Sequence, residues 1–222
     1  MSASGDSPVR TIVHLVRHGL VENPKGVLYG RLEKFFLSEL GHQMAERAAA
    51  FFADRDVTHL RCSPLERAQQ TMEPIQRVHQ LPVIIDGRVI EAQNFLEGQR
   101  VGLNLAFVRQ PKNWWYFRNP LRPTWGEPYP HIVERMQAAM RDAADVADGH
   151  EAVIVSHQLP IWMARCNAEG RRLIHDPRRR DCSLASVTSF SYLDGRIASV
   201  TYREPAADLL RGPAKKKSVA GA

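Results

Sequence analysis

Two short runs constrain this chain more than anything else in it: Thr11 to Val16 (TIVHLV) and Ala152 to Val155 (AVIV). Both are short, rich in β-branched or small residues and almost wholly apolar, the pattern of strands buried on both faces of a parallel sheet with helices above and below. Each delivers a histidine as it ends: Arg17-His18-Gly19 follows the first and Ser156-His157 the second. In open α/β sheets ligands bind beyond the carboxyl ends of the strands. A parallel sheet lines those ends up along one edge, so two imidazoles and an arginine can converge there.

The remaining elements follow from periodicity and punctuation. Val57 to Cys62 and Leu81 to Asp86 read as further strands. Ser38 is placed to cap a helix running to about Asp54, with Leu40, Met44, Ala48 and Phe51-Phe52 on its apolar side. Ser63-Pro64 opens another helix, with Ser63 as its cap and Arg67 in its early turns, where free N–H groups favour an anion. His131 to Ala147 repeats Ile132, Met136, Ala139, Met140 and Ala143 at helical spacing, and a helix is expected over Leu159 to Ala168. Ala185 to Leu193 and Ile197 to Tyr202 are joined through Asp194-Gly195, a strong hairpin signal. The fold class expected is α/β: a three-layer α/β/α sandwich with a mostly parallel central sheet and an antiparallel edge.

With 222 residues the chain is read as one domain over 11–208, with a disordered arm at 1–10 and a disordered basic tail at 209–222. Arg17 to Leu37, broken by Asn23-Pro24, Gly26 and Gly30, is a long loop, and such loops in compact domains usually serve function. The stretch 103–130, with Trp114-Trp115-Tyr116-Phe117 and Trp125, is expected to cover the core or act as a lid, with plain packing favoured.

Composition excludes several classes. An apolar fraction of 44% and a charged fraction of 24% allow a large core without disulfides or metal. Cys62, Cys166 and Cys182 are odd in number and widely spaced, against a disulfide framework or a zinc site and in favour of a reducing compartment. Residues 1–10 have no apolar signal region and no stretch is long enough to span a membrane, so a cytoplasmic protein with no membrane partner is expected. The net charge of +6 gathers partly in Arg171-Arg172, Arg178-Arg179-Arg180 and Lys215-Lys216-Lys217. These clusters lack a recognition helix or interleaved aromatics, so no nucleic-acid partner is expected. A homo-oligomer stays open.

The residues gathered at the strand ends suit phosphoryl chemistry. Arg17 and Arg67 present forks that match phosphate oxygens, and a neutral ring nitrogen of His18 can attack phosphorus in line. Dense positive charge would keep that imidazole unprotonated and stabilise the transferred group, so neither a metal nor a cofactor is expected. A leaving alkoxide needs a proton; Glu91, after the third strand, is the best placed donor, with Glu97 and Glu22 as alternatives.

Five motifs in order carry a resemblance: Leu15-Val16-Arg17-His18-Gly19, Leu37-Ser38-Glu39-Leu40-Gly41, Ser63-Pro64-Leu65-Glu66-Arg67-Ala68-Gln69-Gln70-Thr71, Val89-Ile90-Glu91 with Glu97-Gly98, and Val155-Ser156-His157. Together the chain resembles the histidine phosphatase superfamily, in its phosphoglycerate-mutase-like branch. The resemblance implies that His18 is the phosphorylated nucleophile, that Arg17 and Arg67 clamp the phosphate, that His157 donates to it and that Glu91 is the proton donor. It also implies a phosphate contact from Asn23, one residue earlier than the usual spacing. Leu20, Gln158 and Phe35-Phe36 depart from the family pattern and point to an altered substrate rim.

The function expected is a metal-independent phosphatase acting on a small phosphomonoester. Two alternatives are carried: a mutase that returns the phosphoryl group to a bound sugar acid, and a silent module that senses a phosphorylated ligand. A mutase must exclude water beneath a dedicated cover.

Overall fold

The computed structural model describes residues 10–94, 97–99 and 126–210. Its centre is a six-stranded sheet built from β1 (Arg10–Arg17), β2 (Val57–Cys62), β3 (Val83–Ile85), β4 (Glu151–Ser156), β5 (Val187–Leu193) and β6 (Arg196–Arg203). The spatial order is β3-β2-β4-β1-β5-β6. The first four run parallel; β5 and β6 are antiparallel additions beside β1. The expected α/β class, with its antiparallel edge, is therefore the observed one.

Alternating side chains explain the three layers. Val13, Leu15, Ala152 and Ile154 face a core made with α3 (Tyr129–Ala147) and α4 (Gln158–Ala168). Val16, Val153 and Val155 face the opposite core, made with α1 (Glu39–Phe52) and α2 (Glu66–His79). Successive strand residues point to opposite sides, so a run apolar at every position has to be covered twice.

The register then fixes the site. Arg17 pairs with Ser156, and the next residues, His18 and His157, leave the sheet side by side. His18 N donates to Ser156 O at 3.2 Å, and Ser63 N donates to Val155 O at 3.0 Å, which draws the end of β2 to the same edge.

Several boundaries differ from the sequence reading. β3 pairs over three residues only. Pro82 has no N–H to give the ladder, and Asp86 turns away to bind Arg61 and Arg88. Ser63 does not cap α2, whose first residue is Glu66 and whose cap position, Leu65, has no side-chain bond. The Ser63 backbone is still tied to the sheet and its hydroxyl lies against His157. Ser38 does cap α1, its hydroxyl accepting from Gly41 N at 3.1 Å. Arg10 belongs to β1 rather than to an arm, and Leu209 and Leu210 sit in a closing 3-10 turn packed near Met44 and Leu184. The hairpin is as expected, with Asp194 (φ 49°) and Gly195 (φ 73°) both left-handed. The bulk of the aromatic stretch, the rest of the arm and residues 211–222 lie outside the described residues.

Candidate active site

His18 is the centre of the strand-end cluster. Its Nδ1 lies 2.8 Å from Gly19 O. A carbonyl only accepts, so Nδ1 carries the proton and Nε2 keeps a bare lone pair. Burial, then the charges of Arg67 and Arg17, hold the ring well below the usual histidine range, so it is neutral at pH 7.

The loop bearing His18 is fixed from two sides. Gly19 N donates to Thr71 Oγ1 at 3.1 Å, and the same hydroxyl donates to Arg67 O at 2.7 Å, joining the nucleophile loop to α2. On the other side Gly19 and Gly41 are in intimate backbone contact: a Cβ on Gly19 would lie 2.5 Å from Gly41 O, and one on Gly41 would lie 2.0 Å from Leu20 O. Both motifs need glycine at these positions for that reason.

Two arginines are buried beside this histidine, Arg17 at 1% and Arg67 at 0% exposure. Arg17 Nη1 donates to Cys182 O at 2.7 Å, and Arg67 donates to Gly30 O. The Arg67 guanidinium lies 4.8 Å from the centre of the Tyr29 ring, which stacks on Phe35. Neither arginine has a carboxylate partner among the described residues, and Arg17 Nε, Arg17 Nη2 and Arg67 Nε are buried with no acceptor there. Buried guanidiniums with unused N–H groups are costly unless an anion arrives to meet them.

His157 faces His18 with ring centres 5.2 Å apart. Its Nε2 lies 2.7 Å from Ser63 Oγ, while Nδ1 is buried and unpartnered. Ser63 Oγ also accepts from Leu65 N at 3.4 Å; in the tautomer in which it gives its own proton to His157 Nε2, the ring proton lies on Nδ1, the free side. Burial, followed by the Arg67 charge, holds this ring neutral as well.

Glu91 is buried within reach of the same charges. One oxygen accepts from Ala92 N at 2.8 Å. Burial raises its proton affinity above the ordinary carboxylate range, opposed by that bond and by Arg67, Arg17 and Arg180. The other carboxylates do different work. Glu97 accepts from Arg31 N and Asn94 N and ties two loops together. Glu22 is exposed next to the Val21–Leu37 bridge.

Thus Arg17, His18, Arg67, Glu91 and His157 come together as the strand ends predict. Asn23 does not join them through any bond among the described residues: its amide donates to Val27 O at 2.8 Å and accepts from Val27 N at 3.1 Å, building the loop. Sequence reasoning missed Tyr29 beneath Arg67, and it read Arg180 as part of a basic cluster. Arg180 instead lines a cleft of about 190 Å³ with Leu28, Gly30, Glu91, Asn94 and Tyr129. The rest of its run faces outward, where Arg178 pairs with Asp176 and Arg171 with Glu169. Among the described residues no three metal-ligating side chains gather, and no helix is long and apolar enough to cross a membrane.

Comparison with known proteins agrees with this geometry. The sequence profile of the histidine phosphatase superfamily (branch 1) matches residues 13–205. Uncharacterized protein Rv0525 of Mycobacterium tuberculosis is 52% identical over 200 residues, covering 90% of this chain and 99% of that one. A probable phosphoglycerate mutase, GpmB, of Shigella boydii is 28% identical over 196 residues, covering 79% and 83%. Among solved structures, a mycobacterial glucosyl-3-phosphoglycerate phosphatase, Rv2419c, superposes with a TM-score of 0.66 at 22% identity, covering 87% of this chain and 96% of that one.

Proposed function

The chain belongs to the histidine phosphatase superfamily (branch 1), and on that premise we propose that it is a metal-independent phosphatase that hydrolyses a small phosphomonoester through a phosphohistidine on His18. One observation carries the reading: the Gly19 carbonyl commits His18 Nδ1, leaving Nε2 as a neutral nucleophile among buried cations whose N–H groups lack acceptors.

In the first step His18 Nε2 attacks phosphorus and the ester P–O bond breaks. Arg17, Arg67 and His157 Nδ1–H hold the equatorial oxygens, and these fixed donors do the work of charge stabilisation. The departing alkoxide takes the proton that burial keeps on Glu91, and the alcohol leaves. In the second step the Glu91 carboxylate takes a proton from water, the resulting hydroxide attacks phosphorus, and the P–N bond breaks. Orthophosphate is released, with His18 and protonated Glu91 restored.

Relatives carry both activities in their names, a probable mutase and a phosphatase. The two reactions share every residue above and differ in what removes the phosphoryl group from His18: water, or a hydroxyl of a bound sugar acid. We favour water, because a mutase must also shut water out beneath a dedicated cover, and nothing in the sequence of 103–130 identifies a phosphoglycerate site. The three cysteines are free and buried, which fits a reducing, cytoplasmic setting.

A screen of phosphorylated metabolites, with phosphate release and mutase turnover measured together and excess chelator present, tests the proposal. Wild type is expected to release phosphate from para-nitrophenyl phosphate and from at least one metabolite, and His18→Ala to release none. Wild type as inert as His18→Ala would leave only a binding role. Isomerised phosphoglycerate without free phosphate would establish the mutase, and loss of turnover with chelator would overturn the metal-free route.

A further inference from the structure

Arg180 is a half-buried cation with no carboxylate partner among the described residues. It follows the 3-10 turn Pro177–Arg179 and reaches back under it. Its Nε donates to His175 Nε2 at 2.8 Å and its Nη1 to Gln158 Oε1 at 3.3 Å, both neutral acceptors. Arg31, Arg135, Arg165, Arg171 and Arg178 all pair with carboxylates, whereas Arg180 forms no ion pair among the described residues. Among the described arginines that are not exposed, only Arg180 and the two assigned to the transferred phosphoryl group form no ion pair.

Its position separates it from those two. Arg180 lines the cleft together with Glu91, on the side where the alcohol of an ester must depart if Glu91 protonates it. Gln158 holds it there. The Gln158 amide donates to Cys182 O at 3.4 Å, the carbonyl that also takes Arg17 Nη1 at 2.7 Å, and its oxygen accepts from Arg180. One glutamine therefore sets the spacing between the phosphoryl clamp and a third guanidinium. The opposite charge that Arg180 feels most is Glu91, and that carboxyl is protonated when an ester is bound in the reaction above. In the working state the guanidinium has only neutral partners, with its outer N–H edge open to the cleft.

We propose that Arg180 binds a second anionic group, carboxylate or phosphate, on the alcohol part of the substrate, so that the preferred substrates are phosphomonoesters of acidic alcohols. A fork of parallel N–H groups matches either anion bidentately. This inference rests on the phosphatase reading, but it can fail separately.

The test compares matched pairs: 3-phosphoglycerate against glycerol 3-phosphate for the carboxylate, propane-1,3-diol bisphosphate against 3-hydroxypropyl phosphate for the phosphate, with para-nitrophenyl phosphate as the neutral reference. In wild type, kcat/KM for one acidic member is expected to exceed that for its neutral partner by about ten- to a hundredfold, the usual worth of a charge-assisted bond. Arg180→Met is expected to bring that ratio close to one, chiefly through KM, with Arg180→Lys in between. The responding pair tells which anion is bound. No preference in wild type, or a preference that survives Arg180→Met, overturns the proposal. So does an equal loss on para-nitrophenyl phosphate together with weaker inhibition by inorganic phosphate, which would put Arg180 on the transferred phosphoryl group. Calorimetric titration of the same pairs into His18→Ala, with and without Arg180→Met, reads the preference as binding. A preference there without turnover would sink the phosphatase and spare Arg180.

Discussion

At the scale of single residues, the proposed reaction needs two groups in set and opposite protonation states. His18 must be bare at Nε2, and Glu91 must hold a proton. Toward acid, activity falls as His18 is protonated, which burial and two arginines postpone to well below its usual range. Toward alkali, it falls as Glu91 loses the proton that burial secures. The kcat/KM profile is therefore expected to be bell-shaped with an acidic optimum. Glu91→Gln should lower turnover of alkyl phosphates by about a hundred- to ten-thousandfold. It should cost much less on para-nitrophenyl phosphate, whose leaving group needs no proton; equal losses on both would deny Glu91 its role as donor. Most of these residues are legible in the sequence because each sits directly after a strand or in the first turn of a helix. Arg180 is not. It belongs to an irregular stretch with no periodicity, and only the tertiary fold decides that it turns inward while Arg178 turns out. Asn23 is bound to Val27 of its own loop, so its expected contact with phosphate would need that pair to open or to share the amide.

At the scale of elements, the contact between the His18 loop and the start of α1 is the tightest joint described. Gly41→Ala would push a methyl to about 2.0 Å from Leu20 O, a backbone atom that cannot swing away. The expected cost is about 1–3 kcal/mol in urea unfolding, with phosphatase activity falling further than stability alone requires because Gly19 shares the joint. Unchanged stability and activity would mean that α1 shifts freely. Patterning located the strands and helices, and its failures have local causes. A proline and an ion pair cut β3 short, and a hydroxyl turned toward His157 left α2 without its expected cap.

At the scale of the whole molecule, His14, His18 and His157 are all buried and held neutral, burial being the first cause in each. The unfolded chain protonates such groups near pH 6.5, while the folded protein resists to lower pH. The unfolded state thus binds more protons below that point, so the stability these groups contribute is complete above pH 6.5 and is lost as pH falls toward their folded values. Glu91 works in the opposite sense but is one group against three. The urea midpoint is expected to be lower at about pH 5.5 than at about pH 7.5, and a flat or rising midpoint would contradict this. The sheet order that places these histidines also carries a temporal consequence. β1 is made first, yet both its neighbours come late: His14 meets Glu151 137 residues on and Ser189 175 residues on. During translation the strand that carries His18 must wait unpaired until Glu151–Ser156 has been made. A ribosome that stops before that point releases a chain whose apolar first strand has nothing to dock against, a ready target for chaperones and proteases.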